Sequence, residues 1–201
     1  MQFDPNEIDQ KAIYKLLTGA IIPRPIGWIS SISEDGIPNL APFSFFTAVG
    51  DDPPHVMFSA SRSGNSNKDT LNNVLSTKQF VVNMVTEELA ERMNMTSHAL
   101  PPHESEFDFA GITPLASVKI KPPRVKESLI TMECELTHHH HIEQHKNGGS
   151  YVIFGKVVMF HFDDSVLLED HKINMETYRP ISRLAGSGYA RLGEVFSIKR
   201  N

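Results

Sequence analysis

Apolar residues in this chain recur every three or four positions in some stretches and alternate or run together in others. Near the start, Asp4, Pro5 and Glu7 make a helix-capping pattern, with Ile8, Ala12 and Leu16 on one face and Gly19 as the stop. Positions 25–33 read as a strand and Glu34-Asp35-Gly36 as a turn. Positions 37–49 read as the partner strand, with Pro42 marking an edge, bulge or bend. A short apolar strand follows at 55–60. Positions 69–78 predict a helix with Leu71, Val74 and Leu75 inward, and 79–85 a strand. Thr86 then opens a helix whose apolar side is Leu89 and Met93. Positions 97–111 are irregular and long enough to be either a lid or binding loop or a solvated connector. The last third is β in character. Pro122-Pro123 interrupts 118–127, while 129–142 and 151–162 are long strands joined by the hairpin turn Lys146-Asn147-Gly148-Gly149. The tail from 171 to 201, rich in Gly and Arg, is too irregular for a core element and is expected to pack over the barrel or a partner subunit.

Many short strands with a few helices predict a mainly β fold, an antiparallel barrel or sandwich. No Gly-x-Gly-x-x-Gly follows a strand, which argues against a doubly wound dinucleotide fold. The 201 residues suit one domain, 1–201, and 40% hydrophobic with 21% charged residues is ordinary for a globular protein. A formal net charge of -5 disfavours nucleic acid as a partner. No apolar run approaches the roughly 20 residues of a membrane span, so no membrane partner is expected. The N-terminus carries no secretory pattern. Cys134 is the single cysteine, which excludes an intrachain disulfide and fits a reducing cytoplasm.

Two polar segments hold the candidate chemistry. Between Ser59 and Thr70, seven of twelve residues are Ser, Asn or Thr, and Arg62 and Lys68 add positive charge ahead of a helix start. That suits a phosphate, although a polar surface loop before a capped helix has the same composition. Between Asn39 and Phe46, backbone groups near Ala41, Phe43 and Ser44 suit the polar edge of a planar ring, although taken alone these residues are better explained by a strand with a proline bulge and aromatic core residues. A flat ring joined to a phosphate describes FMN. The run His138-His139-His140-His141, with His145, puts only two imidazoles on each face of a strand, too few for a tetrahedral metal site. Cys134 reads as a small buried apolar residue, and Glu133 with Glu135, on one strand face, as a solvated surface or equally as an acid–base pair. Arg179, Arg183 and Tyr189 read as tail packing or as a cofactor or subunit contact.

In order and spacing, several segments together resemble the flavin reductase-like, FMN-binding split-barrel family, in the group that includes flavoredoxin. They are Arg24 to Ser31, Asn39 to Phe46, Asn67-Lys68-Asp69-Thr70, Phe80-Val81-Val82-Asn83, Glu106 to Gly111 and Arg183 to Tyr189. The resemblance implies a six-stranded antiparallel Greek-key split β-barrel with flanking helices, and a homodimer with FMN near the subunit interface. By position it places Asn39, Ala41, Phe43 and Ser44 along the ring, and Ser59, Ala60 and Ser61 near the ribityl chain. It places Arg62, Ser66, Asn67, Lys68 and Thr70 at the phosphate and Asn83 beside the cofactor. No catalytic side chain and no metal is implied. The activity implied is hydride transfer from NADH or NADPH to flavin and on to an acceptor. The alternative is a non-catalytic FMN electron carrier that exchanges electrons with a redox partner protein. The segment 183–189 has fewer glycines than the family's usual run.

Overall fold

The computed structural model describes residues 1–62, 66–143 and 149–199. In chain order its strands are β1 (Gly27–Ile32), β2 (Pro38–Phe43), β3 (Phe46–Asp51), β4 (Pro54–Ser61), β5 (Gln79–Met84), β6 (Pro114–Leu115), β7 (Arg124–Val125), β8 (Ile130–Ile142), β9 (Ser150–Phe162), β10 (Ile181–Arg183) and β11 (Tyr189–Arg191). The helices are α1 (Gln10–Ala20), α2 (Asp69–Thr77), α3 (Ala90–Met95), α4 (Glu106–Phe109) and α5 (Met175–Tyr178). Among the described residues the large sheet has seven strands in the order β2-β1-β5-β8-β9-β4-β3, every neighbouring pair antiparallel. No helix of the described residues is long and apolar enough to cross a membrane.

The sheet curls until its two ends meet. The Phe43 ring on β2 lies 4.9 Å from the Phe58 ring on β4, and Phe58 lies 5.3 Å from Phe80 on β5. Gly27 on β1 is held so close to β3 that a Cβ there would lie 2.7 Å from the Phe46 ring. No ladder joins β2 to β3 or β4 among the described residues, so the barrel is split along that seam. Inside it lie Ile29, Phe58, Leu71, Val74, Phe80 and Ile153, each fully buried. Burial of such side chains contributes roughly 1.5–3 kcal/mol apiece. A second core, containing Trp28, Leu40, Leu89, Met93 and Phe107, fills the outer side of β1 and β2 under α3 and α4. Successive strand residues face opposite sides, so Trp28 enters one core and Ile29 the other, and β1 is buried on both faces.

The mainly β class and split barrel match the expectation, with seven strands in the sheet instead of six. The extra strand arises because 37–49 is not one strand. The chain leaves β1's edge at Ser44-Phe45, and Phe46–Asp51 pairs with β4 at the far end of the sheet. The first helix begins later than its capping pattern predicts. Asp4 closes a turn by accepting the N–H of Asn6 at 2.8 Å, whereas Asp9 caps α1 by accepting that of Ala12 at 2.7 Å. The Thr86 hydroxyl makes no cap bond, and a single tight turn over Glu87–Leu89 precedes α3. Only Arg124-Val125 of 118–127 is strand after the two prolines. The tail does enter the core: Tyr178 and Ile181 are buried, and β10 with β11 forms a small hairpin. Residues 146–148 of the expected hairpin turn, and His145, lie outside the described residues; Gly149 has φ +82°, as a turn glycine requires.

The surface reading of Glu133 is corrected. It is fully buried and accepts the N–H groups of Val118 and Lys119, each at 2.7 Å, while the His161 imidazole approaches the same carboxylate at 2.7 Å. Burial pushes the carboxyl up, but these donors outweigh it and hold it below the ordinary value. Cys134 is buried as expected, and burial drives its thiol far above the ordinary range.

Candidate functional site

Strand β2 is one edge of the large sheet, and its outward groups begin the site. Pro42 pairs opposite Trp28. A proline can sit there only because its missing N–H would point away from the ladder. The same alternation turns Leu40 N–H and Pro38 C=O outward, where α4 takes them. Glu106 Oε2 accepts Leu40 N–H at 3.0 Å, and Ser105 Oγ donates to Pro38 O at 2.7 Å.

Beside this edge stands the start of α2. Lys68 is its cap residue, in extended conformation and with no side-chain cap bond, so the first helical N–H groups stay open to a ligand. Asn39 Nδ2 donates to Thr70 Oγ1 at 2.9 Å and ties the strand to the helix. Lys68 Nζ lies 5.6 Å from the Phe43 ring centroid. Asn67 donates to Asn72 Oδ1 at 2.9 Å, while its own Oδ1 is buried without a partner among the described residues.

These groups line a cleft of about 400 Å³, whose lining includes Asn39, Ala41, Lys68, Thr70, Ser97 and Glu106. A smaller cavity of about 160 Å³ adjoins it, sharing Pro42 and Ser97 and walled by Ser44, Met93, Arg183 and Tyr189. There the Arg183 guanidinium sits 4.6 Å from the Tyr189 ring centroid, and Tyr189 donates to Asn94 Oδ1 at 3.1 Å. The buried guanidinium of Arg24 anchors this end. It donates to the carbonyls of Thr18 and Ile21 at 2.7 Å each and of Leu184 at 2.9 Å, joining α1 to the tail hairpin.

Of the expected site residues, Asn39, Ala41, Asn67, Lys68 and Thr70 line the larger cleft and Ser44 the smaller. Phe43 lies buried beneath Lys68. Ser59, Ala60 and Ser61 run along β4 opposite Val152, Tyr151 and Ser150, with Ala60 fully buried. Arg62 N–H donates to Gly149 O at 3.0 Å, and Ser66 is exposed. Ser63, Gly64 and Asn65 lie outside the described residues.

Asn83 is removed from the site. It is fully buried, its amide donates to Trp28 O at 2.9 Å and Ser30 Oγ at 3.3 Å, and its oxygen accepts Val125 N–H at 2.8 Å. No polar atom is left for a ligand. Thr96 and Glu106 were missed as cleft residues. The signals for Glu106 were the length of 97–111 and the segment Glu106 to Gly111 in the family resemblance; the binding-loop reading of 97–111 is supported by Ser97, His98, Ala99 and Leu100 at the cleft.

Glu106 is 6% exposed. Burial holds its carboxyl above the ordinary value and the charge of Asp69 adds to this, against the N–H of Leu40. The histidine run lies on β8, with His141 stacked on Tyr151 at 4.5 Å and His138 near Phe154. Among the described residues no group of three or more His, Cys, Asp or Glu is disposed to hold a metal ion.

A split antiparallel barrel with an anion-favouring helix start beside an edge strand defines the class of protein. Residues 19–179 match the family model described as a flavin reductase like domain, and the chain belongs to that family. It is 46% identical over 192 residues to an uncharacterised Aquifex aeolicus protein, covering 95% of each chain. Among solved structures, nitrilotriacetate monooxygenase component B from Bacillus cereus superposes with a TM-score of 0.95 at 39% identity, covering 98% of both chains. The 2-nitrobenzoate 2-nitroreductase NbaA of Pseudomonas fluorescens superposes with a TM-score of 0.89 at 29% identity, covering 100% of this chain and 96% of that one.

Proposed function

We propose that this protein binds FMN in the cleft between β2 and α2, accepts hydride from NADH or NADPH and passes the electrons to a further acceptor. The observation that carries this reading is the open α2 start at Lys68 and Thr70, lining one cleft together with the apolar Ala41 and Pro42. The residues fit the cofactor. Lys68 and the first N–H groups of α2 suit one phosphate, and the buried, unpartnered Asn67 Oδ1 suits a hydroxyl donor of the ribityl chain. A volume of about 400 Å³ lies in the range of small-molecule sites.

When bound, the flavin supplies the hydride and electron chemistry. The protein's part is to orient it, exclude water and bind the second nucleotide, for which the adjoining cavity at Tyr189 is contiguous. The names of the Bacillus cereus and Pseudomonas fluorescens neighbours support an oxidoreductase role.

The active form is proposed to be a homodimer. Tyr14, Leu17 and Ile21 at α1, and Val195, Phe196 and Ile198 in the tail, are exposed apolar surface that a second copy would cover. Light scattering is expected to give twice the monomer mass.

The function is tested by adding FMN to the purified protein and mixing it anaerobically with NADH or NADPH in a stopped-flow instrument. Prompt bleaching of the flavin band is expected. Reduction by dithionite alone would replace the reductase with an electron carrier, and failure to bind FMN would end both readings.

A further inference from the structure

The cleft read as a phosphate site carries two acids, Asp69 and Glu106. Glu106 is the more confined. It is the first residue of α4, with Oε2 held by Leu40 N–H, and it forms no ion pair among the described residues. Its neighbour on β2, Asn39, is bonded to Thr70 at the start of α2. Glu106 and the anion-favouring end of α2 therefore flank the same two residues of one strand. A buried carboxylate beside a bound phosphate is strongly disfavoured, because the two negative charges meet in a low dielectric with little solvent screening. Either the anion stays out or the acid gives up its charge.

We infer that Glu106 takes up a proton from solvent when a phosphate-bearing ligand enters, so that the loaded site holds it as a neutral carboxylic acid. Oε2 then still accepts from Leu40 N–H, and the acquired proton gives the cleft a donor where it had a repelling charge. The inference rests on the FMN reading of the cleft. Its physical ground is the juxtaposition of a desolvated, unpaired acid with the helix start. Burial and the charge of Asp69 already move the free carboxyl in this direction.

Among the described residues the other titratable or charged groups at the cleft are Lys68 and Asp69 at α2 and His98 in the loop after α3; β2 brings none, lining the cleft with Asn39, Ala41 and Pro42 and meeting Glu106 through the Leu40 N–H. On Glu106's own segment, His103, Glu104 and Asp108 are exposed and line a different surface cleft. The sign follows from linkage. A carboxyl that gains a proton on binding makes affinity fall as pH rises above its value in the free protein.

The test is calorimetric titration of FMN into the full chain, at neutral to mildly alkaline pH, in buffers of different ionisation enthalpy. The wild type is expected to take up close to one more proton per FMN than Glu106→Gln. Its FMN dissociation constant should also rise, relative to that variant, by up to about tenfold per pH unit, the limit for one linked proton. Protons taken up or lost by FMN itself are common to both proteins and cancel in the difference. Glu106→Gln keeps an acceptor for Leu40 N–H, and a thermal melt checks that it folds. Should it not, Asp69→Asn carries the test, with the weakening expected to begin at lower pH.

Equal proton uptake by wild type and Glu106→Gln, with FMN bound by both, would overturn the inference and leave the flavin reading standing. Riboflavin causing the same uptake as FMN would overturn the link to phosphate. No FMN binding by the wild type would overturn the site itself.

Discussion

Replacing Asn83 by Ala separates a structural role from a place in the binding site. In the wild type its side chain joins β1, β5 and β7 through Trp28 O at 2.9 Å and Val125 N–H at 2.8 Å, with no exposed surface. Truncation leaves a carbonyl and an amide buried without these partners, at about 1–3 kcal/mol each. Allowing for some water entry, the loss of stability is about 2–5 kcal/mol. For a chain of this size that lowers the melting temperature by roughly 4–20 °C. Differential scanning calorimetry or urea unfolding reads the stability, and FMN fluorescence quenching, well below the transition, reads the affinity. Affinity is expected to stay within about twofold of wild type, because the residue faces away from the cleft. An unchanged melting temperature with FMN affinity reduced tenfold or more would refute the assignment and return Asn83 to the site.

Lys68→Ala removes the charge at the start of α2 and is expected to weaken FMN binding by about 1–3 kcal/mol, read by the same titration; unchanged affinity would take Lys68 out of the site. Glu133 is held below the ordinary carboxyl value, so its contribution is full above that value and is lost as pH falls through its folded pKa. Glu133→Gln is expected to melt lower at pH 7 by about 1–3 kcal/mol and to have a flatter acid limb than wild type in melts below pH about 5. Gly155→Ala would set a Cβ 2.3 Å from Phe80 Cζ and 3.2 Å from Cys134 Cβ inside the barrel. Overpacking there is expected to destabilise by about 1–3 kcal/mol or more in urea unfolding, and a neutral result would show that the Phe80 ring can move aside.

What was legible in the chain follows from which physical signals are local. The long strands β8 and β9, and the helix with Leu71 and Val74 inward, declare themselves by periodicity alone. The break at Ser44-Phe45 does not, because the run from Phe43 to Val49 stays apolar and strand-like while the chain changes neighbours. Lys68 and Thr70 stand out through composition near a helix start, and Asn39 and Ala41 through the run around Pro42 and the resemblance to the family; all four line one cleft. Asn83 was misplaced because strand parity relative to a cleft is a tertiary fact. Glu133 looked solvated because nothing in its own strand reveals that the N–H groups of Val118 and Lys119 will cover it. The cleft role of Glu106 likewise depends on a contact 66 positions away, with Leu40.

The way α4 is sewn to β2 has a practical consequence. Ser105 and Glu106 satisfy the outward carbonyl and amide of a border strand that would otherwise be a template for intermolecular pairing. Lifting that helix therefore bares a sticky margin at the same moment as it opens the cleft that Glu106 lines. Damage to this stitch should first appear as clumping and turbidity while most of the barrel remains intact.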